Sequence, residues 1–337
     1  MRPRRVARSA LARIGRAGRA AGGVAVTEAD RIRFRRGRAD VAFFHEFAAP
    51  PYGGGNQFLL ALKGELERRG LQVEVNRISG ATPACLVNSF NFDFRRLRRF
   101  NRSDCRFVHR VDGPIGVYRG FDDGTDTRIA AINVELADAT IVQSRFSLEA
   151  HRSLGIELRD PVVVHNAVDP AIFYPPRDRE AVSKRRVRLI ATSWSDNPNK
   201  GAETLAWLDR NLDRSRFELT LLGRFRVAFE HARVLEPLPS EGVASELRRH
   251  DLYIAASRND PCSNALLEAL ACGLPAAYLD SGGHSELVAE AGLPFAGDEE
   301  LADVLARLVD EIEQRRSAIR VSSLADVADR YLEVLGG

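Results

Sequence analysis

The chain has 337 residues, 45% of them hydrophobic and 28% charged, a balance that fits a globular protein long enough for two domains of ordinary size. No apolar run approaches the ~20 residues that cross a bilayer, so an integral membrane protein is not expected. The net charge of +3 conceals an asymmetry: residues 1–38 hold 12 Arg against Glu28 and Asp30, a net of +10, which leaves −7 for residues 39–337.

Within that basic arm Val6, Ala10, Leu11 and Ile14 recur at helical spacing, while Arg4, Arg5, Arg8, Arg13, Arg16 and Arg19 lie mostly elsewhere on the wheel. Two readings stand. One is a helix lying on an anionic membrane surface, which would make the protein cytoplasmic and peripheral to the inner face of the cell membrane. The other is a solvated tail, because Gly15, Gly18, Gly22 and Gly23 weaken any helix. No aromatic residue accompanies the Arg residues before Phe34, so no nucleic-acid partner is expected. The arm lacks the apolar core of a secretion signal, although its composition also suits an organellar transit peptide.

After the arm, residues 39–45 read as a buried strand and residues 49–56, with Gly53, Gly54 and Gly55, as a glycine-rich loop able to let backbone approach a ligand. Phe58, Leu59, Leu62 and Leu66 then mark a helix over 57–69 that stops at Gly70 before a strand over 72–75. Further strands are expected at 84–88, 106–111, 139–143 and 161–165, with a helix over 128–138. A second alternation opens with strands at 188–192, 217–222 and 252–255. An α/β protein with two doubly wound parallel sheets facing a cleft accounts for this pattern. The segment from Ile319 to Leu335 is amphipathic, with apolar Val321, Leu324, Val327, Ala328, Tyr331 and Leu335.

Cys85, Cys105, Cys262 and Cys272 show no metal-binding spacing and read as packed, reduced thiols; no pair of His residues is spaced for zinc either. The Asp122-Asp123-Gly124-Thr125-Asp126 stretch reads as a solvated loop rather than a metal-binding motif. No metal and no resident cofactor are expected.

The most informative stretch runs from Asn259 to Pro275. Asp260 precedes Glu268 by eight positions; a turn with Pro261, Ser263 and Asn264 separates them, and a helix follows that stops at Gly273-Leu274-Pro275. Unpaired backbone N–H groups at such a helix start suit a phosphate, and carboxylates accept hydrogen bonds from sugar hydroxyls. The stretch resembles the E-x7-E signature of the retaining glycosyltransferases of family four, with Asp260 in place of the first glutamate. The resemblance implies a GT-B fold and a nucleoside-diphosphate sugar as donor. In it, Glu268 would bind the ribose, Asp260 would face the transferred sugar, and the amides near Ser263 and Asn264 would approach the phosphate or sugar.

Lys200, one of three Lys against 46 Arg, sits in Asn199-Lys200-Gly201, where the family has a Lys-Gly pair after a similar loop. There it would stabilise the departing diphosphate. The family's loop Arg has no counterpart among Ser193, Trp194 and Ser195, and Arg224 at the end of a strand is the candidate to supply that charge. In Phe107 to Pro114, His109 keeps the residue type of the family's His near the donor sugar, whereas Asp112 keeps the position just before glycine; either could position the sugar or the acceptor hydroxyl. Ile141 to Ser144, the passage from Val162 to Pro176 and the loop from Ser281 to Glu286 extend the resemblance, and in the family the terminal helix commonly crosses back to the first domain.

The expected organisation is an arm at 1–38, an acceptor domain at 39–170, a donor domain at 171–318 and a returning helix at 319–337. The expected partners are a nucleotide sugar, a glycan or lipid-linked acceptor, and an anionic membrane surface for the arm. Asp260 and the missing loop Arg also motivate a non-catalytic nucleotide-sugar or glycan-binding protein, and a GT-B nucleotide-sugar epimerase is a neighbouring alternative.

Overall fold

A computed structural model describes residues 39–49, 53–100 and 104–336; the basic arm lies outside the described residues. The first half runs β1 (Val41–Phe44), α1 (Gly54–Arg68), β2 (Val73–Val75), β3 (Ala84–Asn88), α2 (Phe94–Phe100), β4 (Arg106–Val111), α3 (Ile115–Arg119), α4 (Thr125–Leu136), β5 (Ala139–Val142), α5 (Arg145–Ser153) and β6 (Pro161–Val163). Its strands form one parallel sheet in the order β2-β1-β3-β4-β5-β6.

The second half runs β7 (Val187–Ser193), α6 (Ala202–Asn211), β8 (Phe217–Gly223), β9 (Arg233–Leu235), α7 (Ser240–Arg248), β10 (Leu252–Ala255), α8 (Asn264–Ala271), β11 (Ala276–Leu279), α9 (His284–Val288), β12 (Gly292–Phe295), α10 (Leu301–Asp310), α11 (Ile312–Ser317) and α12 (Leu324–Gly336). Its sheet is also parallel, in the order β12-β11-β10-β7-β8-β9. This is the doubly wound order, whose direction reverses between β7 and β10.

Parallel strands covered by helices on both faces are buried along their whole length, which explains why β1, β3 and β11 read as unbroken small or apolar runs. Successive residues serve opposite faces: Val41 and Phe43 join one core with Phe58, Leu62 and Leu66, while Ala42 and Phe44 join another with Phe92 and Leu97. The second sheet divides in the same way, with Leu189 and Ala191 on one face and Ile190 on the other.

The last helix packs on the first sheet. Leu324, Val327, Ala328, Tyr331, Val334 and Leu335 enter the core built by Val41, Phe58 and Leu86, and each buried large side chain contributes about 1.5–3 kcal/mol. The helix begins at Leu324 rather than near 319, because the Ser323 hydroxyl accepts from Asp326 N–H at 3.0 Å and donates to its carboxylate at 2.7 Å.

Two further differences from the sequence pattern bear on the site. Gly54 and Gly55, read as loop, form the first turn of α1. Strands β11 and β12, rich in Ala, Gly and Pro, carry little strand propensity and owe their pairing to the buried sheet they complete.

Candidate active site

The cavity between the two sheets has a volume of about 370 Å³. It lies beyond the carboxyl ends of β7 and β10, the place where an open parallel sheet with reversing strand order leaves a crevice. The second half supplies Ser193, Lys200, Asp260, Ser263, Asn264 and Glu268 to its wall; the first half supplies Gly54, Gly55, Asp112, Tyr118 and Gln143.

Lys200 ends a short 3-10 turn that Asn197 opens by accepting from Asn199 N–H at 2.9 Å. Gly201 follows at φ +78°, and a Cβ there would fall 2.2 Å from the Ala256 carbonyl oxygen, so only glycine lets this turn lie against the end of β10. The turn delivers Lys200 Nζ to 2.8 Å from Asp260 Oδ2 and 5.2 Å from the Tyr118 ring centroid. Burial by itself would favour the neutral amine, but the facing carboxylate more than offsets it and raises the Lys200 pKa. Burial likewise opposes ionisation of Asp260, and Lys200 and His284 hold its pKa below the usual carboxylate value.

Ser263 caps α8 by accepting from Leu266 N–H at 3.4 Å. The helix's first residues, Asn264 and Ala265, whose N–H groups have no partner within a helix, lie at the cavity wall. One turn on, Glu268 lines the same cavity, and no hydrogen bond or ion pair engages its carboxylate among the described residues. Burial pushes its pKa up to about 8. Left unpartnered in the cavity, this carboxyl keeps acceptor capacity for ligand hydroxyls when protonated and becomes a stronger acceptor once ionised.

The two candidates on β4 part company. Asp112, just past the strand, lines the cavity and accepts at Oδ1 from Arg110 Nη1 at 2.9 Å and from Gln143 Nε2. His109 points to the opposite face of the sheet from Arg110 and is absent from the cavity lining. It is 2% exposed, its Nε2–H donates to the Ser89 carbonyl at 2.8 Å, and Asn133 Nδ2 donates to its Nδ1 at 3.3 Å. Burial lowers its pKa to about 4, so it is a neutral, satisfied interior histidine.

Arg224 is also outside the cavity. It is exposed and stacks on Trp194, 4.5 Å from the ring centroid, while its backbone N–H donates to Ser193 O at 2.9 Å. Of the cations expected at the site, the cavity therefore receives Lys200. Gly54 serves close approach between the halves: a Cβ there would lie 2.5 Å from Asn264 Nδ2.

Sequence reasoning passed over Arg110, Tyr118 and Asn166 as site residues, and Gln143 appeared in it only as a strand end. Their contacts join distant segments, so no local pattern marks them. Tyr118 O accepts from Asn199 Nδ2 at 2.5 Å and Val117 O from Asn259 Nδ2 at 3.3 Å, which ties α3 to the second half. On the other side of the cleft Glu286 accepts from the Arg145 and Phe146 N–H groups at 2.8 and 2.9 Å, at the start of α5.

The acidic loop is spent on local structure. Asp122 accepts from Gly124 N–H, Asp123 from Thr125 N–H, and Asp126 from the N–H groups of Ile115 and Gly116. Among the described residues no group of three or more His, Cys, Asp or Glu side chains is arranged to hold a metal, and no helix is long and apolar enough to cross a membrane.

Residues 201–311 match the family model described as Glycosyl transferases group 1. No curated protein matches the chain. Among solved structures, sucrose-phosphate synthase from Thermosynechococcus elongatus superposes with a TM-score of 0.70 at 16% identity over 88% of this chain and 98% of its own. HepE from Anabaena in complex with UDP-glucose gives 0.64 at 16% identity, over 88% and 99%. The catalytic domain of starch synthase IV from Arabidopsis thaliana, bound to ADP and acarbose, gives 0.66 at 11% identity, over 88% and 99%. At such identities these structures share the fold. The group 1 match thus covers α6 to α10 in the second half of the chain, and the two-sheet GT-B fold that carries it is shared with these structures.

Proposed function

We propose that the protein transfers a sugar from a nucleoside-diphosphate sugar to a glycan or lipid-linked acceptor, with retention of configuration and without a resident metal. Residues 39–170 would serve the acceptor, residues 171–318 the donor, and the terminal helix would return to the first domain. The observation that carries this reading is the arrangement of three groups around one cavity: cationic Lys200, the Asp260 carboxylate against it, and Glu268 left without a partner. Lys200 and the start of α8 suit a diphosphate, and Glu268 suits the two hydroxyls of a ribose.

In this reading Glu268 holds the nucleoside, and Lys200 meets the charge that grows on the leaving diphosphate as the anomeric bond breaks. Asp260 faces the transferred sugar, Asp112 stands on the acceptor side, and the amides near Ser263 and Asn264 approach the phosphate.

Thermal-shift screening against UDP-glucose, UDP-N-acetylglucosamine, ADP-glucose and GDP-mannose tests the donor class, since a ligand of the folded state raises its melting temperature. UDP-glucose comes first because HepE was solved with it. Product analysis of the bound donor then separates transfer or hydrolysis from epimerisation and from binding alone. Activity is expected to persist in EDTA; complete loss with rescue by manganese would overturn the metal-free reading.

A further inference from the structure

Among the described residues Arg110 is one of the largest side chains to be fully buried, and a guanidinium cannot shed its charge to suit an apolar interior. Its surroundings answer with a closed circuit of hydrogen bonds. Arg110 Nη1 donates to Asp112 Oδ1 at 2.9 Å and to Asn88 Oδ1 at 2.7 Å, while Nη2 donates to Asn166 Oδ1 at 3.0 Å. Asn166 Nδ2 donates to Gln143 Oε1 at 2.9 Å, and Gln143 Nε2 returns to Asp112 Oδ1. Arg110 Nε reaches the Tyr331 hydroxyl of α12 at 3.2 Å, which anchors the guanidinium to the terminal helix.

Two consequences follow for the cavity. Asp112 Oδ1 is occupied twice from within the first domain, while no side chain of the described residues hydrogen-bonds Oδ2, so the carboxylate is held with one oxygen available. The circuit also reaches the helix that carries Glu268. Asn166 Nδ2 makes a second donation, to Asn264 Oδ1 at 3.1 Å, and Asn264 is the first residue of the helix that carries Glu268.

We propose that Arg110, Gln143 and Asn166 are positioning residues that fix the Asp112 carboxylate toward the reacting sugar, and that the Asn166–Asn264 hydrogen bond makes this alignment depend on the seating of α8 against the first domain. The inference rests on the reading of the cavity as a nucleotide-sugar site. A network serving stability alone would lower the melting temperature without distinguishing turnover from binding. A positioning network lowers kcat at unchanged donor affinity, because alignment matters when the reacting atoms meet.

The test uses the full chain with the donor found by the thermal-shift panel. It compares donor Kd, kcat for transfer to water and melting temperature for the unchanged protein, Asn166→Ala, Asn264→Ala and the double variant. Asn264→Ala leaves the backbone N–H groups of α8 in place and alters a half-buried side chain, so it should fold even if Asn166→Ala does not. The expected result is a loss of kcat of about tenfold or more in each single variant, with Kd changed less than threefold. The double variant should fall no further than the worse single one, because both remove the same bond. Losses that multiply in the double variant, a Kd that worsens as much as kcat falls, or an Asn264→Ala protein with full turnover would overturn the proposal. Absence of donor binding by the unchanged protein would instead overturn the nucleotide-sugar reading, and the proposed role of the circuit with it.

Discussion

Lys200 Nζ and Asp260 Oδ2 lie 2.8 Å apart, one delivered by the turn after β7 and the other by the loop after β10, so the two strands that flank the sheet's reversal each bring one charge to the cavity. Each partner stabilises the charged form of the other: the Lys200 pKa is raised and the Asp260 pKa lowered. The sign of both shifts places the pair's contribution across the neutral range. It is lost at low pH as Asp260 protonates, and at high pH only above the ordinary lysine value.

Lys200→Met should therefore have two effects. It leaves Asp260, which is 5% exposed, without its facing cation, so the melting temperature should fall. It should also lower kcat by about 100- to 1,000-fold, the scale of removing one charge-stabilising donor, with a smaller effect on donor affinity because phosphate charge grows towards the transition state. Steady-state kinetics at a temperature where the variant is folded checks this; a change in the Michaelis constant alone would make Lys200 a uniform-binding residue.

Glu268 gives a prediction of the opposite sign. A carboxyl whose pKa rises on folding, here to about 8, takes up a proton on folding, so stability declines as pH rises from the ordinary glutamate value towards 8 and is level above it. Glu268→Gln should melt higher than the unchanged protein, with a larger gain at pH 8.5 than at pH 5; the ceiling is about 1.4 kcal/mol per pH unit across that window. Glu268→Ala should weaken donor binding by about 1.5–3 kcal/mol as the ribose loses its acceptor. Melting curves at the two pH values and donor titration are the measurements, and undiminished affinity in folded Glu268→Ala would refute the ribose assignment.

The sequence was most legible where function and local pattern coincide. Asp260 and Glu268 are marked by a short spacing within one segment and Lys200 by its rarity and the glycine after it, and all three line the cavity. Alternating buried runs sufficed for two parallel sheets because every such strand is covered on both faces. What stayed hidden was set by contacts across long separations. The choice between His109 and Asp112 depends on which face of β4 meets the cleft, and the stacking of Arg224 on Trp194 is likewise a contact between separate segments. Asn166 makes its side-chain bonds to residues 23 or more positions away, beyond the reach of any local signal.

Gly201→Ala tests how tightly the Lys200 turn is seated. The residue sits at φ +78°, which an L side chain adopts at a cost of about 1–2 kcal/mol, and the added Cβ would meet the Ala256 carbonyl oxygen at 2.2 Å. The turn must then lift away from β10, carrying Lys200 from Asp260. A lower melting temperature together with reduced kcat is expected; full activity at unchanged stability would show that the turn relaxes without moving the amine.

The basic arm carries the last prediction. If residues 1–38 bring the enzyme to a lipid-linked acceptor, their net charge of +10 should favour vesicles containing anionic lipid. The attraction should weaken as salt shortens the Debye length from about 10 Å at 0.1 M. Removing the arm should leave donor binding intact, because every residue assigned to the donor lies beyond position 53, while activity on a membrane-embedded acceptor falls. Vesicle co-sedimentation of the full-length and truncated chains at low and high salt, with donor binding as the control, measures this. Equal sedimentation of the two forms at low salt would mean that the arm is a solvated tail and that the acceptor must be sought in solution.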